Sequence, residues 1–250
     1  MSTSPRTPVA VSWSGGKDST LALAAALADQ ALEVRALVTT VTAEYERISM
    51  HGVRRALLRR QAEALGLPLV EVPIAPRCSN EDYERAMREA LARLAAEGVT
   101  GVVCGDLYLA DVRAYRERLF AAVGLAGVYP LWGRDTRALA HEFVDAGYRA
   151  VLVCVDPRQI DRAFCGRDYD RALLAELPAS ADPCGENGEF HTFVHDGPIF
   201  HAPIPVARGE VVERDGFVFA DLEVARGLPQ PEIAPLGGGT FTPPRPGSRA

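Results

Sequence analysis

Val9-Ala10-Val11-Ser12-Trp13-Ser14-Gly15-Gly16-Lys17-Asp18-Ser19-Thr20 runs from a β-branched apolar stretch, through a turn of small residues, into the helix-like run Leu21 to Leu27. A strand, a tight turn and a helix in that order leave the first N–H groups of the helix without backbone partners. They also aim the positive end of its dipole at the turn, which makes a cradle for phosphate. Gly15 and Gly16 let the backbone approach phosphate oxygens with no Cβ in the way, and they tolerate positive φ. Ser14 and Ser19 offer hydroxyl donors, Ser12 stands just upstream at the strand's end, and Lys17 supplies positive charge. A carboxylate beside a polyphosphate is repulsive unless a cation lies between, so Asp18 is expected to help hold Mg²⁺ directly or through water. The spacing is not that of a Walker loop, which needs a glycine, four residues and then Gly-Lys-Ser/Thr. The plain alternative is a glycine-rich βα turn with a capping serine.

Composition sets the frame. With 250 residues, 48% hydrophobic and 24% charged, the chain suffices for one large domain or two modest ones. No apolar run approaches the length that crosses a bilayer, and the polar start Met1-Ser2-Thr3-Ser4-Pro5 lacks the pattern of a signal peptide. The expected address is the cytoplasm, with no membrane partner. A net charge of -6 gives no general attraction to nucleic acid. Arg54-Arg55 and Arg59-Arg60 recur at helical spacing among Leu57, Leu58 and Ala62, so they read as a solvated face, with an RNA patch as the alternative. Five cysteines (Cys78, Cys104, Cys154, Cys165 and Cys184) without a C-x-x-C pair argue for reduced thiols rather than a disulfide framework or a zinc site.

The first half alternates strand and helix patterns, the sequence form of an α/β parallel sheet with helices on both faces. Strands are expected at Val9 to Trp13, Glu33 to Thr39, Leu69 to Pro73, Gly101 to Cys104 and, as a fifth, Val128 to Leu131. Helices are expected near Ser19 to Asp29, Gly52 to Leu65, Glu81 to Glu97 and Asp111 to Val123, with Gly66 and Gly98 as C′ residues and Ser79 or Asn80 as an N-cap. Right-handed crossovers bring the loops after the strands to the edge that holds the cradle. There Thr39 and its neighbours are placed to support an adenine, and Gly105-Asp106 follows the fourth strand. Asp106 reads equally as a contact to Mg²⁺ or ribose and as the N-cap of the next helix. Tyr45, Glu46, Met50 and His51 lie on the same side, and His51 reads as a cap or a substrate contact.

Past Trp132 the texture changes. A helix capped by Asp135 or Thr136 runs to about Ala146, a buried strand covers Ala150 to Val155, and a helix lies near Asp168 to Leu177. Strands follow at Thr192 to His195, Gly209 to Arg214 and Phe217 to Val224. The expected organisation is a flexible start over 1–8, a nucleotide-binding domain over 9–132, a smaller α+β domain over 133–227, and a Pro/Gly-dominated disordered tail over 228–250. Between the later helix and strand, Asp182-Pro183-Cys184-Gly185-Glu186-Asn187-Gly188-Glu189-Phe190-His191-Thr192 packs three carboxylates, an amide, a thiol and an imidazole into eleven positions. Such density suggests a site loop, and a polar turn with Asx caps is the alternative.

Ser14 to Ser19 matches the Ser-Gly-Gly-X-Asp-Ser/Thr signature of the PP-loop ATP pyrophosphatases. With Gln61 to Pro68, Gly105-Asp106, Pro130-Leu131-Trp132, Cys184 to Thr192 and Asp196-Gly197-Pro198, the chain resembles the diphthine-ammonia ligase family from about Val9 to Val224. The resemblance implies a nucleotide-binding domain of HUP type followed by a family-specific domain. It also implies a reaction: ATP adenylates the carboxylate of diphthine on elongation factor two, pyrophosphate leaves, and ammonia displaces AMP. Lys17 and Mg²⁺ would offset charge on the pyrophosphate, while Glu189, Glu186 or His191 would take a proton from the attacking ammonium, Glu189 being preferred. Ser12, Ser14, Gly15, Gly16, Lys17, Asp18, Ser19, Thr39, Gly105 and Asp106 are the residues expected at ATP. Members that amidate diphthine commonly read Gly-Glu-Tyr-Glu-Thr where this chain has Gly188-Glu189-Phe190-His191-Thr192. The change alters charge beside the acceptor, so a protein or small-molecule carboxylate and ammonia or another amine are the partners carried forward. A homodimer is allowed by the sequence, which identifies no interface for it. The rival readings are a tRNA-modifying PP-loop enzyme, with Cys104 and Cys184 as its thiols, and a nucleotide-binding sensor without turnover.

Overall fold

The computed structural model describes residues 5–42, 44, 47–48 and 52–225, so Tyr45, Glu46, Met50, His51 and the tail expected over 228–250 lie outside the described residues. In chain order the first elements are β1 (Thr7–Ser12), α1 (Lys17–Ala28), β2 (Leu32–Thr42), β3 (Arg47–Ile48), α2 (Arg55–Leu65), β4 (Leu69–Ile74), α3 (Asn80–Ala96), β5 (Gly101–Val103), α4 (Ala110–Ala121) and β6 (Ala126–Val128). After them come α5 (Thr136–Asp145), β7 (Arg149–Val155), a 3₁₀ turn at Arg162–Phe164, α6 (Arg171–Glu176), β8 (Phe190–Asp196), β9 (Val206–Arg214) and β10 (Phe217–Val224). The chain divides into two compact units, the first made of Met1–Ser14, Asp18–Ser49 and Leu69–Arg134. The second is made of Gly15–Lys17, Met50–Pro68 and Asp135–Ala250.

The first unit is a five-stranded parallel sheet in the order β4-β2-β1-β5-β6, flanked by helices, with β3 antiparallel to the end of β2. This is the HUP-like architecture. The strand order reverses between β1 and β5, and in open α/β sheets ligands bind beyond the carboxyl ends of the strands at that crevice. On one face Ala10, Val38, Val72 and Val102 form a core with Met87, Ala90, Leu91 and Leu94 of α3 and Leu119 and Phe120 of α4. The four α3 residues recur three and four apart, which is why an otherwise charged helix docks on one stripe. Residues of the opposite parity, Val9, Val11, Leu37 and Val103, are buried as well, as a sheet covered on both faces requires.

Two boundary expectations are corrected. The fifth strand lies at Ala126–Val128 rather than Val128 to Leu131, because its ladder with β5 ends where Cys104 N–H bonds the Val128 carbonyl, and Pro130 has no N–H to extend it. The helix read near Asp168 to Leu177 spans Arg171–Glu176, because the Asp170 carboxylate accepts from the Leu173 N–H (2.8 Å) and sets its start there. Ser79 caps α3 by accepting from the Asp82 N–H (3.1 Å), and Gly66 ends α2 in the left-handed region, both as expected.

The second unit carries a smaller antiparallel sheet in the order β8-β7-β10-β9. The strand read at Thr192 to His195 is the seven-residue β8 of this sheet. α2 belongs here. Arg54, just before it, bonds the Asp221 carboxylate of β10 through Nε at 3.0 Å, and the His201 N–H bonds the Ala64 carbonyl at 2.7 Å. Asp135 caps α5 by accepting from the Ala138 N–H (2.7 Å).

Candidate active site

In the first unit the residues of interest gather where β1 and β5 end. Trp13 is buried and its N–H continues the ladder to the Val38 carbonyl (2.8 Å), which carries the chain straight off the sheet into Ser14. The Ser14 and Ser19 hydroxyls lie 3.0 Å apart, so the two side chains share one hydrogen bond across the turn. Gly105 has to be glycine for reasons of space. A Cβ there would stand 2.7 Å from the Asp18 carbonyl carbon and 2.9 Å from the Ser19 nitrogen. The loop after β5 thus abuts the start of α1.

Asp106, next along that loop, accepts from Arg116 Nε at 3.0 Å, and Arg116 Nη1 reaches the Ser12 hydroxyl at 3.4 Å. The expectation that Asp106 caps the next helix is corrected, since α4 starts at Ala110 with Leu109 at its N-cap position. Asp106 Oδ2 is buried without a hydrogen-bond partner, so the carboxylate keeps one acceptor beyond the arginine. Thr39 is buried in β2, two strands from β5. Asp18 and Asp106 are oxygen donors of the kind a hard cation takes, and the unpartnered Asp106 Oδ2 is an acceptor that would suit Mg²⁺, an ion that binds through one or two carboxylates together with phosphate oxygens and water.

In the second unit Gly15 is tied to β8 and α2, and Lys17 to β8. Gly15 has φ +77°, and its carbonyl accepts from the Val194 N–H (2.9 Å) and from Gln61 Nε2 (2.9 Å). Gln61 Nε2 also donates to the Val194 carbonyl at 2.6 Å. The Lys17 N–H donates to Thr192 Oγ1 (3.1 Å), so this donor of the helix start is committed to β8. The Lys17 side chain is only 2% exposed. Its ammonium donates to the Cys184 carbonyl and sits 5.7 and 5.9 Å from the ring centres of Phe190 and Tyr169, within cation–π range of both. The charge is therefore desolvated on an aromatic and carbonyl seat.

The loop from Asp182 to Thr192 is organised from inside. Glu189 is 2% exposed, and its carboxylate accepts from the Asp182 N–H (2.8 Å), the Asn187 N–H (3.0 Å) and Asn187 Nδ2 (3.2 Å). Asp182 in turn accepts from the Cys184 N–H (2.7 Å), and the Tyr169 hydroxyl donates to the Pro183 carbonyl (2.7 Å). Gly185 (φ +69°) has no room for a Cβ, which would stand 2.7 Å from the Phe190 carbonyl oxygen. From beneath, the Asp156 N–H bonds the Glu189 carbonyl (2.9 Å). Arg158, donating from Nε and Nη2, draws the Asp156 carboxyl down to about 2. Glu186 and His191 are half-buried in the same stretch.

Gln61, Tyr169 and Asp156 were not singled out as functional from the sequence. Gln61 left a signal, being the one polar member of the buried stripe Leu57, Leu58, Gln61, Ala62 and Leu65 of α2. Tyr169 and Asp156 left none.

Three of the five thiols are poor nucleophiles. Burial pushes Cys104 and Cys154 up to about 12 and Cys165 to about 11. Cys184 is buried with its thiol on the Thr136 carbonyl (3.3 Å), whereas Cys78 is only half-buried. A thiol reagent is expected to titrate about one fast equivalent in the native protein, from Cys78, and the other four only on unfolding. A second fast equivalent in the folded state would contradict this.

Comparison with known families places residues 7–127 in the diphthamide synthase N-terminal domain and residues 135–225 in the diphthamide synthase C-terminal domain. Relatives named diphthine–ammonia ligase include one from Schizosaccharomyces pombe, 28% identical over 185 residues, which are 68% of this chain and 30% of that protein. One from Bos taurus is 27% identical over 67% of this chain and 68% of its own length. One from Danio rerio is 30% identical over 66% of this chain and 71% of its own length. The match thus covers under a third of the fission-yeast protein and about two thirds of the vertebrate ones.

Proposed function

The chain belongs to the diphthamide synthase family, and from that premise we propose that it is an ATP-dependent, AMP-forming amide ligase that joins ammonia to a carboxylate. The acceptor that the relatives' names suggest is diphthine, and elongation factor two as its carrier is part of the same proposal. The observation that carries the reading is the Ser14 to Ser19 stretch, which leaves β1 at the strand-order reversal of a parallel sheet and enters α1 at Lys17.

A free carboxylate is a poor acyl donor because its leaving oxygen is too basic. In the proposed first step a carboxylate oxygen attacks the α-phosphorus, the bond to the bridging oxygen breaks, and pyrophosphate leaves with its electron pair. Gly15, Gly16, Ser14 and Ser19 orient the phosphates, and Lys17 offsets the charge that grows on the leaving group. Asp18, with Asp106 as a second oxygen donor, would hold Mg²⁺, which when bound neutralises phosphate charge. Thr39 is assigned to the adenine in this reading. In the second step nitrogen attacks the acyl carbon, the bond to the AMP oxygen breaks, and the proton shed by the ammonium passes to a base. Three of about four acceptor positions on Glu189 are already taken, and the proton goes to one of Glu189, Glu186 and His191.

The test is product analysis with ATP, Mg²⁺, ammonium and acceptor. AMP and pyrophosphate in equal amounts, dependent on acceptor, support the reading. ADP overturns it, and tight binding without turnover favours a sensor. Within this scheme Asp18→Asn is expected to lower kcat about 10²-fold while the Kd for ATP stays within about threefold. Equal loss of both would remove Asp18 from the transition state.

A further inference from the structure

We infer that Gln61 is a positioning residue that holds the Gly15-Gly16 turn in its phosphate-receiving form, acting through the Gly15 carbonyl. This rests on the reading of that turn as the ATP cradle. Gln61 is fully buried in α2 and its amide nitrogen serves two acceptors, the Gly15 carbonyl at 2.9 Å and the Val194 carbonyl at 2.6 Å. Two carbonyl oxygens converging on one atom require both hydrogens of an –NH₂ group, which fixes the orientation of the amide as well as its identity. The Val194 N–H closes the arrangement at 2.9 Å, so the Gly15 carbonyl has two donors and a fixed direction.

In a planar trans peptide the C=O of one residue and the N–H of the next point opposite ways. Anchoring the Gly15 carbonyl toward α2 and β8 therefore fixes where the Gly16 N–H points. A turn with positive φ at Gly15 can otherwise flip this peptide at little cost, because glycine populates both signs of φ. The amide also explains why position 15 tolerates no side chain: a Cβ there would stand 2.6 Å from Gln61 Oε1. The clamp joins three segments far apart in sequence, the turn, the apolar stripe of α2 and the edge strand β8.

Gln61→Glu keeps the shape and reverses the chemistry, setting a carboxylate oxygen against two carbonyl oxygens. Buried beside those acceptors, the new carboxyl has a raised pKa, and its protonated form donates one hydrogen. The measurement is the Kd of ATP for the full chain by calorimetry between about pH 6 and pH 8, with thermal melts at each pH. Gln61→Glu is expected to bind about tenfold or more weakly than wild type at pH 8 and to recover part of that loss toward pH 6. Gln61→Leu, which donates nothing, is expected to show a loss that does not depend on pH. Wild type in parallel corrects for Lys17, His191 and His195 on the turn and β8, and for Arg60 and Glu63 on α2. Gln61→Glu tracking wild type at every pH would overturn the inference alone. Wild type that binds no ATP would overturn the cradle reading and this inference with it.

Discussion

Lys17→Met is expected to lower pyrophosphate release by about 10²- to 10³-fold, the range for removing one preorganised charge from developing negative charge, while the melting temperature holds or rises slightly. The two halves of this expectation come from the same feature. The Lys17 ammonium is almost wholly buried, held by the Cys184 carbonyl and the faces of Tyr169 and Phe190. Desolvating a charge is costly, and the contacts of a buried charge commonly return no more than that cost. Methionine has nearly the same length and fills the same space, so packing survives and the desolvation penalty disappears. What is lost is the charge. Lysine on a flexible stem delivers a compact cation, and near a departing pyrophosphate nothing in a thioether replaces it. Lys17→Arg is a second, stricter test. The guanidinium is always charged but is planar and larger, so in this seat it is expected to restore less than a tenth of the lost rate. Pyrophosphate release in a coupled assay, with a melt on each variant, separates the cases. A fall in melting temperature of several degrees for Lys17→Met, with activity falling in proportion, would make Lys17 a packing residue.

The parts of this molecule that short-range chemistry dictates were legible in the sequence, and the parts made by contacts across long separations were not. The alternation of β-branched runs and amphipathic helices, the Ser79 cap and the left-handed Gly66 are decided within a few residues, and the parallel sheet stands where the pattern puts it. The Ser14 to Ser19 turn is equally local. Gln61 is different, because its partners are 46 and 133 positions away and only the folded chain says that a buried amide is needed there. The two-residue strand β3 has no pattern to read at all, since its existence depends on the end of β2 beside it. The loop before β8 shows a subtler limit. Three carboxylates in eleven positions suggest chemistry, yet a loop with two glycines in the left-handed region also needs acceptors for its own N–H groups. Composition does not say which carboxylate does which. The structure gives Glu189 the internal duty, through bonds to Asp182 and Asn187.

That assignment sets the expected behaviour of Glu189 variants. If Glu189 acted chiefly as a base, Glu189→Gln would keep the fold and lose the rate, because a neutral amide of the same shape accepts no proton. As an internal acceptor it behaves otherwise. Its two oxygens face two backbone N–H groups and one side-chain amide, so Glu189→Gln sets an –NH₂ against at least one N–H donor. Glu189→Leu takes the carboxylate acceptor away from all three donors, which belong to half-buried Asp182 and exposed Asn187, so each loss falls toward the low end of about 1–3 kcal/mol. For a chain of this size about 1 kcal/mol shifts the midpoint by roughly 2–4 °C. Glu189→Leu is therefore expected to lower the melting temperature by about 10 °C, and Glu189→Gln by roughly half as much. Because Cys184 lies within the same loop and its carbonyl seats the Lys17 ammonium, loosening the loop also removes the seat of the cation. The rate of pyrophosphate release should then fall with the loop's order, and hydrogen exchange over residues 182–189 should rise in both variants. Glu189→Gln with wild-type melting, wild-type exchange and a lost second step would return the proton to Glu189. Glu186→Gln and His191→Gln supply the contrast: amide formation slowed by more than the fall in melting temperature explains would mark the residue changed as the base.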